Sequence, residues 1–228
     1  MADDVNDALK AAAAKSSIGK VAASDELSGA TIIAAIGGVR GLIESILPSF
    51  VFLIVYLISK DVVLSALIPV GVAVVFIVLR VIQKLPVNPA VTGAVGVGIT
   101  AVLAIVTNRA ENNFIPGILI NAGGFLAMLI SILVRWPLVG VIVALLLGEE
   151  AAQWRSTPRE KRLLTWVTWI WVAMFAIRLA VEVPLYIAAN AAGLAIAKLV
   201  LGVPLYALVL WVSFILVRSI YPPKPKSE

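Results

Sequence analysis

Three ionisable residues stand inside apolar sequence in the stretch IRLAVEVPLYIAANAAGLAIAKLVLGVPLY, residues 177–206: Arg178, Glu182 and Lys198. One acid between two bases in such surroundings has two chemical uses. It can bind an anion or hand on a proton, or it can be a structural ion-pair cluster that holds helices in register. Spacing places the three together. A turn is predicted near Asn190, with Glu182 eight residues before it and Lys198 eight after. At 1.5 Å rise per residue both lie about 12 Å from that turn, at matching depth. Arg178 is one helical turn further along, on the face of Glu182. The spacing therefore predicts a Glu182–Lys198 pair flanked by Arg178. Asn121, eight residues into an earlier apolar run, enters from the same side and joins them. Arg40 and Glu44 form a second i, i+4 pair, on the opposite side. One acid among two bases suits a proton pump poorly.

The elements that must position these side chains follow from composition. The chain of 228 residues is 61% hydrophobic and only 14% charged, with a mean hydropathy of +1.06. Soluble domains are about 45–50% apolar and about 25% charged. Too little polar surface exists here to cover the apolar residues, so lipid must be the solvent for most of the chain. Cysteine and histidine are absent, which excludes disulfides and Cys/His metal sites. No Walker, HExxH, GxSxG or dinucleotide motif occurs, and no nucleophile–base pair is evident. The expectation is a protein without enzymatic activity and without a cofactor. The net charge of +5 comes from bases at the ends of apolar runs, so it reports orientation and not a nucleic-acid partner.

Six runs are long enough to span: 42–59, 62–80, 88–107, 114–134, 163–188 and 191–217. They predict an all-α, polytopic transmembrane bundle occupying residues 31–220. Residues 1–30 lack a long apolar core and read as a mobile tail, not a signal peptide, and 221–228 as a short C-terminal tail. With both termini in the cytoplasm, the inner side collects every basic residue except Lys60, Arg109 and the intramembrane Arg178 and Lys198. The apolar segment 136–148 is short for a span. Letting it cross would move either Arg155–Arg162 or Arg80 and Lys84 outside, so an interfacial or re-entrant helix is favoured over a seventh span. Ile32, Ile36, Val39 and Ile43 share one helical face. They suit an interfacial helix entering the first span, or an extension of that span.

Other features are less specific. Small residues recur at helical spacing at Gly37/Gly41, Ala94/Gly98, Gly140/Ala144/Gly148 and Ala189/Gly193/Ala197, which predicts close packing faces. Pro89 and Pro116 fall in first turns. Pro69, Pro184 and Pro204 are interior and predict kinks or breaks. The polar loop EEAAQWRSTPREKR reads as a topology signal, with a cytoplasmic partner or anionic lipid headgroups as its other uses. The sequence also repeats itself: Arg178-Leu179 before Val183-Pro184-Leu185-Tyr186, and Lys198-Leu199 before Val203-Pro204-Leu205-Tyr206.

The stretches RGLIESILPSFVFLIVY, PGILINAG, LVRWPLVGV, RLAVEVPLY and LVLGVPLYALVLW resemble an actinobacterial family of membrane proteins defined by a domain of unknown function. More distantly, the chain resembles the intracellular septation protein A family. Leu47, Pro48, Phe52 and Tyr56 match that family's L-P-x3-F-x3-Y opening. Arg135, Trp136, Pro137 and Leu138 resemble its basic-Pro-Leu element, and Trp171 and Phe175 its later aromatic pair. The resemblance implies a multi-pass protein of the bacterial inner membrane that supports envelope homeostasis or division without catalysis. Its partners would be the lipid bilayer and other envelope or division membrane proteins, with homo-oligomerisation left open. The other expectation is a small-solute, ion or proton-linked transporter using Arg178, Glu182, Lys198 and Asn121.

Overall fold

The computed structural model of the chain describes residues 38–84, 87–147 and 154–221, with side chains of the first helix described from Leu47. The described residues are helical, without strands. In chain order the helices are α1 (Gly38–Ser59), α2 (Val62–Ile82), α3 (Asn88–Thr107), a 3-10 turn (Ala110–Phe114), α4 (Ile115–Leu133), α5 (Leu138–Leu147), α6 (Pro158–Ile187), α7 (Ala191–Val200) and α8 (Val203–Arg218). Among the described residues, five apolar stretches are long enough to cross a bilayer, and Leu47–Ser59 is a shorter apolar helix. This is the membrane-embedded helical protein that the hydropathy predicts. Large apolar side chains such as Ile58, 81% exposed, and Val106, 78% exposed, lie along these helices, as suits a lipid solvent.

Local chemistry explains the boundaries. Ser59 Oγ accepts from the Asp61 amide, and the Asp61 carboxylate accepts from Leu64 N at 3.0 Å, capping α2. Pro89 lies at the start of α3, and Asn108 ends that helix in the left-handed region at φ 51°. Asn190 Oδ1 accepts from Gly193 N at 2.8 Å and opens α7, so the predicted turn forms where expected. α1 continues unbroken from Gly38 into the apolar run. Val39 and Ile43 therefore extend the first helix, while Ile32 and Ile36 lie outside the described residues. α5 has ten residues, about 15 Å of helix, too short to cross.

Two expectations are corrected. Pro69 and Pro184 lie inside continuous helices and break neither. At Pro204 the expected break does form, at residues 201–202 just ahead of it, so the sixth run is two helices. The Ala94/Gly98 face is likewise not a close contact, since a Cβ at Gly98 would meet nothing within 4 Å. α2 and α3 pack through Ala66, Ala101 and Ala104. Gly140 does mark a tight approach, 3.1 Å from the Trp154 ring, while Gly37 and Gly148 lie outside the described residues.

The chain divides into two compact units. One comprises Arg40–Ala122 and Ala176–Leu205. Its core gathers Phe52, Leu53, Ala110, Phe114, Ala191, Leu194 and Ala195. The other comprises Gly123–Phe175 and the chain from Tyr206 on, with Val139, Val143, Trp154, Leu164 and Val167 at its centre. In that second unit Trp171, Phe175 and Tyr206 form a triangle of rings with centroids 6.1–6.3 Å apart. Gly124 is required there, because a Cβ would lie 2.6 Å from the Phe175 ring.

Gly202 has the severest constraint: a Cβ would stand 2.2 Å from the Lys198 carbonyl oxygen, a backbone atom that cannot swing away. Gly202→Ala is expected to lower unfolding free energy by about 1–3 kcal/mol. Gly98→Ala, in open space, should be neutral or raise it, because alanine is the better helix former. Denaturant unfolding of both variants in detergent micelles checks the pair.

Candidate functional site

Helix α6 carries a ladder of three polar side chains one turn apart: Arg178, Glu182 and Tyr186. Spacing of four puts them on one face. Each rung finds its partner on a different element. Glu182 Oε1 accepts from Arg178 Nη2 at 3.0 Å, and Oε2 accepts from Asn121 Nδ2 of α4 at 2.7 Å. A carboxylate only accepts, so the amide must present its NH2. Arg178 Nη1 donates to the Leu201 carbonyl at 2.9 Å. That carbonyl sits at the α7–α8 break, where the helical donors have run out and a side chain must replace them. The Tyr186 hydroxyl donates to Asn112 Oδ1 at 2.9 Å, and Asn112 Nδ2 donates to Thr107 Oγ1 at 2.8 Å.

Arg178, Glu182 and Asn121 are all buried. A charge at mid-bilayer costs roughly 3 kcal/mol. An i, i+4 bridge with further hydrogen bonds on both partners reduces that cost, because charge-assisted bonds strengthen in a low dielectric.

The structure corrects the predicted Glu182–Lys198 pair. Glu182 is bridged by Arg178, and Lys198 takes part in none of the ion pairs among the described residues. Its ammonium lies 5.7 Å from the centroid of the Phe114 ring, within electrostatic reach of Glu182 and Arg178. The cause is local. Arg178 reaches Glu182 along one helix, and Asn121 fills the other oxygen. Lys198 is left with a ring face and with the last turn of α7, where the helix dipole favours a cation. Phe114 meets Phe52 edge-on at 5.5 Å, and Phe52 stacks on Tyr56 at 6.0 Å. The motif residues Phe52 and Tyr56 thus back the wall on which Lys198 rests, while Leu47 and Pro48 precede them on α1 and are half-buried.

The other motif residues shape the turn before α5. Arg135 is left-handed at φ 59°, and Pro137 is fully buried. Ser131 Oγ accepts from Leu138 N at 3.1 Å. The Arg155 guanidinium lies 4.0 Å over the Trp136 ring. The side chains of Arg40 and Glu44 lie outside what is described.

Tyr186, Asn112 and Phe114 did not stand out in the sequence. Tyr186 was signalled by its spacing of four from Glu182. Nothing local marks Asn112, whose 3-10 turn reads as a loop. As for metals, no group of three acidic ligands gathers among the described residues.

The family model described as "Protein of unknown function (DUF3159)" matches residues 36–224. The chain belongs to this family. The matched span includes the whole ladder, the Phe52–Tyr56 pair and the Arg135–Pro137 turn. Neither the curated proteins nor the solved structures contain a match.

Removing one partner of a buried pair costs about 3–5 kcal/mol because the other charge is stranded, whereas removing both costs much less. Glu182→Ala is therefore expected to destabilise more than the double variant Glu182→Ala/Arg178→Leu. Unfolding in mixed micelles, arranged as a double-mutant cycle with Arg178→Leu, reads the coupling.

Proposed function

We propose that the protein is a non-enzymatic integral membrane protein of the bacterial inner membrane. It supports the cell envelope or its division through other membrane proteins, with the polar ladder serving to fix helix packing. The observation that carries this reading is that each oxygen of Glu182 accepts from a buried donor of the same chain. A residue that hands on protons or releases a ligand needs a free acceptor at some stage, whereas a packing lock needs none. The septation protein A resemblance of Leu47, Pro48, Phe52 and Tyr56 supports the envelope role, and the placement of basic residues supports cytoplasmic termini.

A second reading rests on Lys198. With Arg178 it gives the buried group two bases to one acid, a surplus of positive charge that suits a small anion in transit.

Flux measurements on vesicles containing the purified protein separate the two. The structural reading expects no anion or proton flux above protein-free vesicles, and the same for a folded Glu182→Gln variant. Wild-type flux that disappears in folded Glu182→Gln or Lys198→Met would establish the transporter instead. In cells lacking the protein, the first reading expects an envelope or division defect that any folded ladder variant rescues.

A further inference from the structure

The basic first turns of α6 are not used by the ladder, and they carry a surface of their own. Arg162 and Trp166, four residues apart, form a ridge with a groove on each side. Lys161, Thr165 and Trp169 line one groove, of about 400 Å³. Arg159, Leu163 and Leu216 line the other, of about 550 Å³. Pro158 closes the end of both. The chemistry is graded along the helix: bases at 159–162, then rings and aliphatic side chains from 163 to 169. Trp166 and Trp169 are 64% and 41% exposed, as large aromatic side chains are in the zone between headgroup and acyl chain.

This turn holds three bases and one acid. Arg159, Lys161 and Arg162 make no ion pair among the described residues. The neighbouring acid, Glu160, accepts a hydrogen bond at 2.5 Å from the Tyr221 hydroxyl. Burial, and then the bond to Glu160, raise the Tyr221 phenol above its ordinary range, so it stays a donor at neutral pH and holds Glu160. The length of α6 sets the depth. Thirty residues make about 45 Å, the thickness of a bilayer with its headgroups, so a first turn at headgroup level leaves the hydrocarbon to the rest. From Arg159 to Trp166 is about 10 Å along the axis, the distance from a phosphate to the upper acyl chain.

We propose that the paired grooves flanking the Arg162–Trp166 ridge bind an anionic phospholipid. Arg159, Lys161 and Arg162 hold its phosphate, and Trp166, Trp169 and Leu216 hold its upper acyl chains. Zwitterionic lipids fill the same grooves without preference, because their own cation opposes the three bases.

The test uses the full chain in phosphatidylcholine vesicles, with quenching of tryptophan fluorescence by brominated acyl chains. Brominated phosphatidylglycerol is compared with brominated phosphatidylcholine at equal mole fraction. The expected result is a preference of severalfold for the anionic lipid, which shrinks as bases that hold the phosphate are removed. Arg159→Gln/Lys161→Gln/Arg162→Gln should abolish the preference, and Arg159→Lys/Arg162→Lys should keep it. Trp166→Phe/Trp169→Phe should lose the lipid-dependent part of the quenching and leave the signal of the remaining tryptophans. Should the triple variant fail to insert, the single Arg162→Gln, at an exposed position, decides. Equal quenching by both lipids, or an unchanged preference in the Gln variants, overturns the proposal. So does a saturable emission change on adding inorganic phosphate to pure phosphatidylcholine vesicles, which would assign the bases to free phosphate.

Discussion

The carboxylate of Glu182 is the constraint around which one unit of this protein is arranged. In hydrocarbon an unsatisfied oxygen has no water to turn to, so both must find donors within the chain. One comes from the same helix and one from α4. The guanidinium that supplies the first reaches on to Leu201, so the carboxylate indirectly fixes the break between α7 and α8 as well. Helices in lipid gain nothing from hiding apolar surface from water. Their association rests on contact and on internal hydrogen bonds. The contact part is visible in Ala66, Ala101 and Ala104, small enough to let α2 and α3 approach. The hydrogen-bond part is the ladder.

Lys198 shows how a charge can be tolerated without a direct counterion. Its stem is covered, its ammonium faces the Phe114 ring, and the last turn of α7 presents carbonyls of partial negative charge. Phe114 in turn is held by Phe52, itself almost wholly buried. Aromatic packing thus maintains an electrostatic arrangement, so a change at Phe52 acts on Lys198 without touching it.

The all-helical, membrane-embedded class and several helix ends were legible in the sequence because hydropathy and turn residues report directly on lipid exposure and capping, whereas the sixth run, read as one span, is two helices. Asp61, Asn108 and Asn190 mark ends by chemistry that any reader of the chain can see. Part of the charged cluster was legible too: helical spacing put Arg178 beside Glu182, the place of Asn121 in its run brought it to the same side, and the structure bonds both to Glu182. The pairing within the cluster was not legible. Depth ranks neighbours by height alone, whereas the choice between Arg178 and Lys198 depends on rotation of α7 about its axis. Nor could spacing reveal Asn112 or Phe114, since a 3-10 turn of five residues has no periodicity to read. Of the three interior prolines, only Pro204 stands at a break. Pro184 removes one N–H from a helix otherwise intact on both sides, and that alone does not end it.

The repeated VPLY segments make the last point sharper. Pro184 and Pro204 occupy the same place in the repeat, yet α6 runs through the first and the second stands at the start of α8. Two residues earlier the copies differ: Glu182 in the first, Gly202 in the second. Glutamate is a good helix former and is bonded on both oxygens, so the backbone there is held from the side chain outward. Glycine carries no such hold, and its missing Cβ admits the close approach to the Lys198 carbonyl that the break requires. The break then puts the Leu201 carbonyl within reach of Arg178, the residue that also bridges Glu182. The acid in one copy and the glycine in the other are therefore complementary. One supplies the charge that Arg178 must neutralise, and the other supplies the carbonyl that accepts from its Nη1. A duplication of sound in the sequence becomes, in three dimensions, a division of roles around one arginine.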